Sequence, residues 1–451
     1  MKSIRRCQRV ITLFIMLFLI GMAVLVVRID RDAPFYMMHS EDHELGIVYD
    51  RSGDVLFDGT GTGEYEENHF LDVGNLIGDD KGQMENTLIA QNIDLLNNYS
   101  FSEGLIREGG KAAIYTTLDH YANRAVYNAY AGADGCACAY NYKTGELLVC
   151  ASVPSIDVTK GYGNIAEMKS GTLISKAMYG TVPGSTQKIP TLITALELMG
   201  TEKLFSKSYS CSGKYVNAYG DEIVCHYSSG HGMQNIQQAI ENSCNPFFAQ
   251  LVADPDMPLE GIKRIYRTLG YSVNDDEPQY IDINGIQCET ASTVLTDTDE
   301  FNTQWGCIGQ GETLVSPVQM MMWESAIANG TGKMTMPYLI DRASDTYGDV
   351  SVLGSTRFSK QLFSEDTASA VRQILLTNGA DHYAVSVPGY TLAVKSGTAQ
   401  VLEGAEENAL LTGFIVDDRH PIAFCVLLEN KYGTPVTAEQ ILKTMLDSLC
   451  S

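Results

Sequence analysis

Ser185 and Lys188 stand three residues apart in Pro183-Gly184-Ser185-Thr186-Gln187-Lys188, the one Ser-x-x-Lys of the chain. Acyl transfer through serine requires a nucleophile, a base, a proton relay and donors for the oxyanion. A lysine three residues after the serine can be the base, because positions i and i+3 share a helix face. Pro183 and Gly184 make a turn, so Ser185 is expected at a helix N-terminus with Lys188 one turn on. By itself the pair is ordinary helix surface, and two further segments give it meaning. Ser243-Cys244-Asn245 follows a helical run at 234–241 and is bracketed by Ile240 and Phe247-Phe248. That context buries a hydroxyl and an amide, which then need partners. Lys395-Ser396-Gly397-Thr398 continues the apolar strand Leu392-Ala393-Val394. A lysine there needs a partner or an anionic substrate, and the glycine lets a substrate backbone lie close to the strand. Lys143-Thr144-Gly145, Lys169-Ser170-Gly171 and Ser272-Val273-Asn274 have similar compositions. They are set aside as a hairpin turn, a segment without strand character, and a loop beside Asp275-Asp276.

The elements that must hold these residues are legible in the periodicity. Residues 135–142 and 146–152 read as apolar strands joined by the Lys143-Thr144-Gly145 turn. Ile189, Leu192, Ile193 and Leu196 have helical spacing over 186–199, and Gly200 ends the run. Residues 390–401, 410–416 and 421–429 read as three successive strands, and 438–449 as a closing helix. Strands at both ends with helices between them predict an α+β domain whose sheet joins the two termini. Upstream, 46–58 reads as two short strands around Arg51-Ser52-Gly53-Asp54, and the stretch to about residue 110 is acidic and weakly periodic.

The first thirty residues differ from the rest. Residues 10–27 are apolar apart from Thr12 and Gly21, enough to span roughly 27 Å as a helix. Lys2, Arg5, Arg6 and Arg9 precede this run, whereas the charges that follow it cancel. The expectation is an uncleaved single-pass anchor in the cell membrane with a cytoplasmic N-terminus. A signal peptide would have a shorter core and a small-x-small cleavage site. Residues 1–32 carry six basic and two acidic side chains, leaving 25 basic against 53 acidic beyond them. Such a surface repels nucleic acid. Of the eleven cysteines, Cys136, Cys138, Cys150 and Cys425 lie in strand-like runs, where a thiol serves as a small core residue. Cys211 and Cys225 flank a polar loop and are the pair placed to form a disulfide, one that would contribute about 3 kcal/mol. His120, His226 and His231 read as structural, since no metal-ligand spacing links them. Neither a metal nor a cofactor is expected. Met320-Met321-Met322 reads as helix core.

Taken together, the motifs resemble those of the penicillin-binding proteins, in the class B branch that has a transpeptidase domain without a glycosyltransferase domain. The resemblance covers most of 113–451. It rests on Thr116-Thr117-Leu118-Asp119, on the segment around Ser185 and Lys188, and on His231-Gly232 leading into Ser243-Cys244-Asn245-Pro246-Phe247-Phe248. It rests also on Gly309-Gln310-Gly311-Glu312, Ser316-Pro317-Val318-Gln319-Met320, Ala328-Asn329-Gly330 and Lys395-Ser396-Gly397-Thr398-Ala399. The resemblance implies a penicillin-binding transpeptidase fold, with an antiparallel sheet flanked by helices and an all-helical subdomain. It divides the chain into an anchor (1–32), a short membrane-proximal module (33–112) and a transpeptidase domain (113–451). Ser185 would attack D-Ala-D-Ala stem peptides, Lys188 would take its proton, and Ser243 with Lys395 would relay a proton to the leaving amine. Asn245, Ser396, Gly397 and Thr398 would bind the donor peptide, and the N–H groups of Ser185 and Thr398 would hold the oxyanion. The implied partners are stem-peptide donors and amine acceptors, β-lactams, and a membrane glycan polymerase of the shape, elongation, division and sporulation family. The rival readings are a hydrolase on the same fold, either a D,D-carboxypeptidase or a β-lactamase, and a non-enzymatic β-lactam sensor.

Overall fold

The apolar runs near the two ends of the domain meet in one antiparallel sheet. Its order is Leu392–Val401, Glu406–Ile415, Ile422–Leu428, Gly135–Asn141 and Leu147–Val153, antiparallel throughout. This is the α+β arrangement the sequence pattern predicts. The computed structural model describes residues 2–38, 45–100, 104–106, 109–401 and 404–451. Both faces of the sheet are covered, which is why its central strands are apolar along their whole length rather than alternating. Helices His120–Ala129 and Ala438–Leu449 pack on one face, and Pro317–Ala328 with Glu365–His382 on the other. Cys425, Cys138 and Cys150 stand side by side across three strands. All three are buried free thiols, the small core residues anticipated for them.

A second five-stranded sheet has the order Val350–Leu353, Ile340–Ser344, Ala113–Thr116, Ile47–Tyr49 and Val55–Asp58. It draws strands from both sides of residue 112. The strand Ile47–Tyr49 runs parallel to Ala113–Thr116. Thr117 links the two sheets, its Oγ1 lying 2.8 Å from Leu147 O and 3.1 Å from Tyr338 O. Two residues on, Asp119 caps the helix His120–Ala129 by accepting from the Ala122 N–H. His120 is clamped between Asp54 (2.6 Å) and Asp72 (3.2 Å), which raises its pKa against the opposing effect of burial. Its partners lie in the upstream segment.

Upstream of these sheets, the helix Lys2–Met38 contains one candidate membrane span, Ile4–Ile29, whose apolar side chains are exposed. Two buried helices cross the interior. Lys188–Met199 is buried from Lys188 through Leu196, and Gly200 ends it at φ 79° while donating to Leu196 O. Pro317–Ala328 is buried along its whole length, the methionine run included, and is capped by Ser316. Glu324 lies in this second helix with no partner for Oε2.

Burial pushes the Glu324 carboxyl up from 4.5 to about 8. The fold retains a proton that the unfolded chain releases near pH 4.5, so this residue costs increasing stability as pH rises from about 4.5 to about 8. Replacing it by glutamine removes that pH dependence. Thermal unfolding of Glu324→Gln, compared with wild type at about pH 5 and about pH 8, is expected to favour the variant at the higher pH by a few kcal/mol. An equal difference at both pH values would contradict the assignment.

Candidate functional site

Ser185 lies in a turn of 3₁₀ helix, Gly184–Gln187, that leads directly into Lys188–Met199. With three residues per turn, positions i and i+3 eclipse. Ser185 Oγ and Lys188 Nζ are accordingly 2.7 Å apart. The second motif comes from a tight reversal. Helix Ile236–Glu241 opens with a capping box of Asn235 and Gln238, and Asn245–Val252 begins only four residues after it ends. Ser243 turns the chain at φ 48°, a left-handed conformation held by its N–H to Ile240 O and the Cys244 N–H to Ala239 O. Strain of this kind, on the order of 1–3 kcal/mol, persists only where its surroundings enforce it. Here it aims Ser243 and Asn245 together at Lys188.

Hydrogen-bond counting fixes what Lys188 does. Its Nζ is 2.8 Å from the Ser243 carbonyl oxygen and 2.8 Å from Asn245 Oδ1. The Asn245 orientation is set independently, since its Nδ2 donates to Val224 O at 3.1 Å. Both oxygens only accept, so each takes an N–H from the amine. The Ser185 and Ser243 hydroxyls, at 2.7 and 3.2 Å, complete the set of oxygens around Nζ. Burial, followed by the nearby Lys395 ammonium, holds the Lys188 pKa well below the ordinary lysine range.

Lys395 completes the polar chain. It is buried in the strand Leu392–Val401, with Nζ 3.2 Å from Ser243 Oγ and 2.8 Å from Ser396 O. Burial alone brings its pKa down to about 7. Ser243 Oγ stands between the two lysines, 3.2 Å from each. The strand comes this close because Gly397 has no side chain. A Cβ there would lie 2.6 Å from Pro183 O and 3.1 Å from Thr186 Cγ2. Gly309, at φ 103°, brings a third loop in, with its missing Cβ 1.8 Å from Gly184 O. The next residue, Gln310, donates through Nε2 to Thr398 O at 3.3 Å.

The structure therefore brings Ser185, Lys188, Ser243, Asn245, Lys395 and the 396–398 segment around one cleft of about 720 Å³. Sequence reasoning left four participants without a role. Gln310 braces the strand, Lys431 approaches Thr398 Oγ1 (3.5 Å) while paired with Glu407 (2.9 Å), and Trp305 with Tyr432 lines the cleft. Their motif context contained Gln310, but nothing local marked the others.

One expectation needs correction. Cys211 and Cys225 are free thiols, not a disulfide, because their sulfurs belong to a larger group. Cys211 Sγ and Cys225 Sγ lie 3.7 and 3.4 Å from His231 Nδ1. Cys244, from the second motif, joins them, and all four ligand atoms lie within 4.8 Å of one another. His231 is thus part of a group able to hold a metal, which the separations of 14, 6 and 13 residues between these four conceal. Asp54, His69 and His120 form a second such group, but Arg124 Nη2 lies 3.1 Å from His120 Nε2 and supplies positive charge there already.

The sequence pattern of the penicillin binding protein transpeptidase domain matches residues 135–447. Stage V sporulation protein D of Bacillus subtilis is 28% identical over 333 residues, 69% of this chain and 48% of that protein. Peptidoglycan D,D-transpeptidase MrdA of Salmonella typhimurium is 24% identical over 382 residues, 74% of this chain and 58% of that protein. The chain thus spans about half the length of these relatives. The crystal structure of PBPA from Mycobacterium tuberculosis is similar at TM-score 0.75 and 18% identity, covering 91% of this chain and 100% of that one. Its ceftriaxone acyl-enzyme complex is similar at TM-score 0.74 and 17% identity, covering 91% and 99%. At such identity the likeness is one of fold.

The close approach at Gly397 gives a direct test. Gly397→Ala would push the strand off the Ser185 turn while leaving every polar group in place. Overpacking is expected to cost about 1–3 kcal/mol of stability, and acylation of Ser185 is expected to fall on the order of 10²-fold. Unchanged acylation kinetics in a folded variant would show that this contact does not set the geometry.

Proposed function

The chain belongs to the penicillin-binding protein transpeptidase family, and from that premise we propose that it is a peptidoglycan D,D-transpeptidase acting through an acyl-enzyme at Ser185. The observation that carries the reading is the 2.7 Å contact between buried Lys188 Nζ and Ser185 Oγ. Ser185 Oγ attacks the carbonyl of the penultimate D-alanine of a stem peptide as its proton passes to Lys188. The N–H groups of Ser185 and Thr398 hold the oxyanion; loss of one such donor costs about 10²–10³ in rate. As the C–N bond breaks, Ser243 gives its hydroxyl proton to the leaving amine and takes in exchange the proton held on Lys188, 3.2 Å away, so that the terminal D-alanine departs and Lys188 is neutral again. Asn245 orients the donor peptide, while Lys395, Ser396 and Thr398 receive its terminal carboxylate. An amine from a second stem peptide then attacks the ester, losing a proton to Lys188 and regenerating Ser185. β-Lactams acylate the same oxygen.

Residues 1–32 act as the membrane anchor in this reading. The basic residues before the span argue for a cytoplasmic N-terminus and a catalytic domain outside. The segment 33–112 serves as a short membrane-proximal module fastened by the second sheet to the catalytic domain of 113–451. A membrane glycan polymerase of the shape, elongation, division and sporulation family would supply the strands to be cross-linked.

Fluorescent-penicillin labelling of the full chain in detergent tests the reading. A stable covalent label is expected on wild type and none on Ser185→Ala. Lys188→Ala is expected to slow labelling by about 10²–10⁴-fold. No label on folded wild-type protein would overturn the proposal, and rapid loss of the label would point to a hydrolase.

A pH profile tests Lys395 separately. Its pKa of about 7 means that the free enzyme loses the carboxylate-binding charge as pH rises through that value. The second-order acylation rate with an anionic β-lactam should therefore fall on the alkaline side, since kcat/KM-type rates report free-enzyme groups. The methyl ester of the same β-lactam should lack this limb. An identical limb for both would assign it to another group.

A further inference from the structure

The cleft continues past the residues assigned to the two terminal alanines, and an ion pair stands in its wall there. Among the described residues lining the cleft, Lys431 and Glu407 are the one pair of opposite charges, 2.9 Å apart. We propose that this pair selects donors by the side chain of the residue before D-Ala-D-Ala, taking one that ends in an ammonium and a carboxylate on the same carbon. That residue is then a diamino dicarboxylic acid, not a diamino monocarboxylic one. The inference rests on the transpeptidase reading of Ser185, because that reading sets the direction of the donor.

The direction follows from the groups already placed. The terminal carboxylate lies toward Lys395 and Ser396, and the scissile carbonyl lies at the Thr398 N–H. The donor therefore runs antiparallel to the strand Leu392–Val401, with its earlier residues toward Gln400. Strands and extended peptides rise about 3.4 Å per residue. The residue before the penultimate alanine thus falls about 3–7 Å beyond Thr398. Gln400 lines the cleft at this level, and it pairs in register with Glu407 on the neighbouring strand.

Lys431 is brought to the same place by a built turn. After the strand Ile422–Leu428, Asn430 takes a left-handed φ of 46° and opens the 3₁₀ turn Lys431–Gly433. Its N–H donates to Asn408 Oδ1 at 3.1 Å, and its carbonyl accepts from Gly433 N at 2.8 Å. So held, Lys431 reaches over the strand Glu406–Ile415 to within 3.5 Å of Thr398 Oγ1, and the Tyr432 ring lies 4.7 Å from its Nζ. Against the effect of burial, the hydrogen bond to Glu407 raises the Lys431 pKa, and Lys431 holds the Glu407 carboxyl below its ordinary range. Both charges therefore persist at neutral pH.

A solvated ion pair contributes little. Here the two side chains are only 23% and 24% exposed, so water competes less for a charge brought to them. An ammonium alone would be drawn to Glu407 and repelled by Lys431 beside it. A carboxylate alone would meet the converse, and a neutral chain would gain nothing. A chain end carrying both charges meets an opposite charge at each pole.

Four penicillins test this, since their shared nucleus presents the same ring and carboxylate and their amide chain stands where the donor precedes the penultimate alanine. The chains are δ-linked α-aminoadipyl (ammonium and carboxylate), adipyl (carboxylate), aminovaleryl (ammonium) and valeryl (neutral). Second-order acylation rates of the full chain in detergent would be measured by competition with fluorescent penicillin. The aminoadipyl compound should exceed each of the others by about tenfold, the effect of two partly buried ion pairs. Lys431→Met and Glu407→Gln should each reduce that preference to within about threefold. Equal rates for all four on wild type would overturn the proposal, and this panel decides the matter even if a variant does not fold. An equal loss across all four in Lys431→Met would also overturn it, by assigning Lys431 to the shared carboxylate. Neither result touches the reading of Ser185, which fails only if no penicillin labels the folded chain.

Discussion

The site depends on a lysine amine that is buried among neutral oxygens with no carboxylate partner. Lys188 Nζ has Ser185 Oγ, Ser243 O and Asn245 Oδ1 within 2.8 Å and Ser243 Oγ at 3.2 Å. A charged ammonium here would need a counter-charge, and would face Lys395 across Ser243. Burial of an unpaired charge is costly enough that the group neutralises instead. The same arithmetic makes Asn245 indispensable in one orientation and Ser243 indispensable at a left-handed φ. Binding and chemistry share this set of constraints.

The rest of the molecule holds three chain segments at these distances. The 3₁₀ turn eclipses Ser185 with Lys188, the interhelical reversal supplies Ser243 and Asn245, and the sheet edge supplies Lys395. Buried elements anchor each of them: the helix Lys188–Met199, the helix Asn245–Val252 and the strand Leu392–Val401. Gly397 and Gly309 remove the atoms that would keep these segments apart. The excursion of 209–234 forms the remaining wall and has little core of its own.

Much of this was legible in the sequence, for reasons that differ by element. The strands around 135–153 and 390–429 could be read because they are buried on both faces and so are apolar throughout. The closing helix Ala438–Leu449 has the expected bounds, since Thr437 and Gln440 make a capping box. Ser185, Lys188, Ser243 and Lys395 were identifiable because order and local context separated them from decoys. What could not be read was contact between distant segments. Pairing of Ile47–Tyr49 with Ala113–Thr116 leaves no periodic trace in so short a strand, and neither does the brace from Gln310 to Thr398. The cysteine group was misread for the same reason. A disulfide is the natural pairing for two cysteines flanking a loop, and only the folding of Cys244 and His231 into the same space makes it a set of four.

The protonation state of Lys188 can be observed without reference to turnover. The chain would be labelled with ¹³C at lysine Cε, and the Lys188 signal assigned through Lys188→Arg. Its shift would then be followed with pH by NMR. The account predicts a midpoint far below the ordinary lysine value of about 10.4, with the neutral amine prevailing at neutral pH. A Lys188 signal that remains that of an ammonium up to about pH 9 would contradict it, because Lys188 could then not take the Ser185 proton.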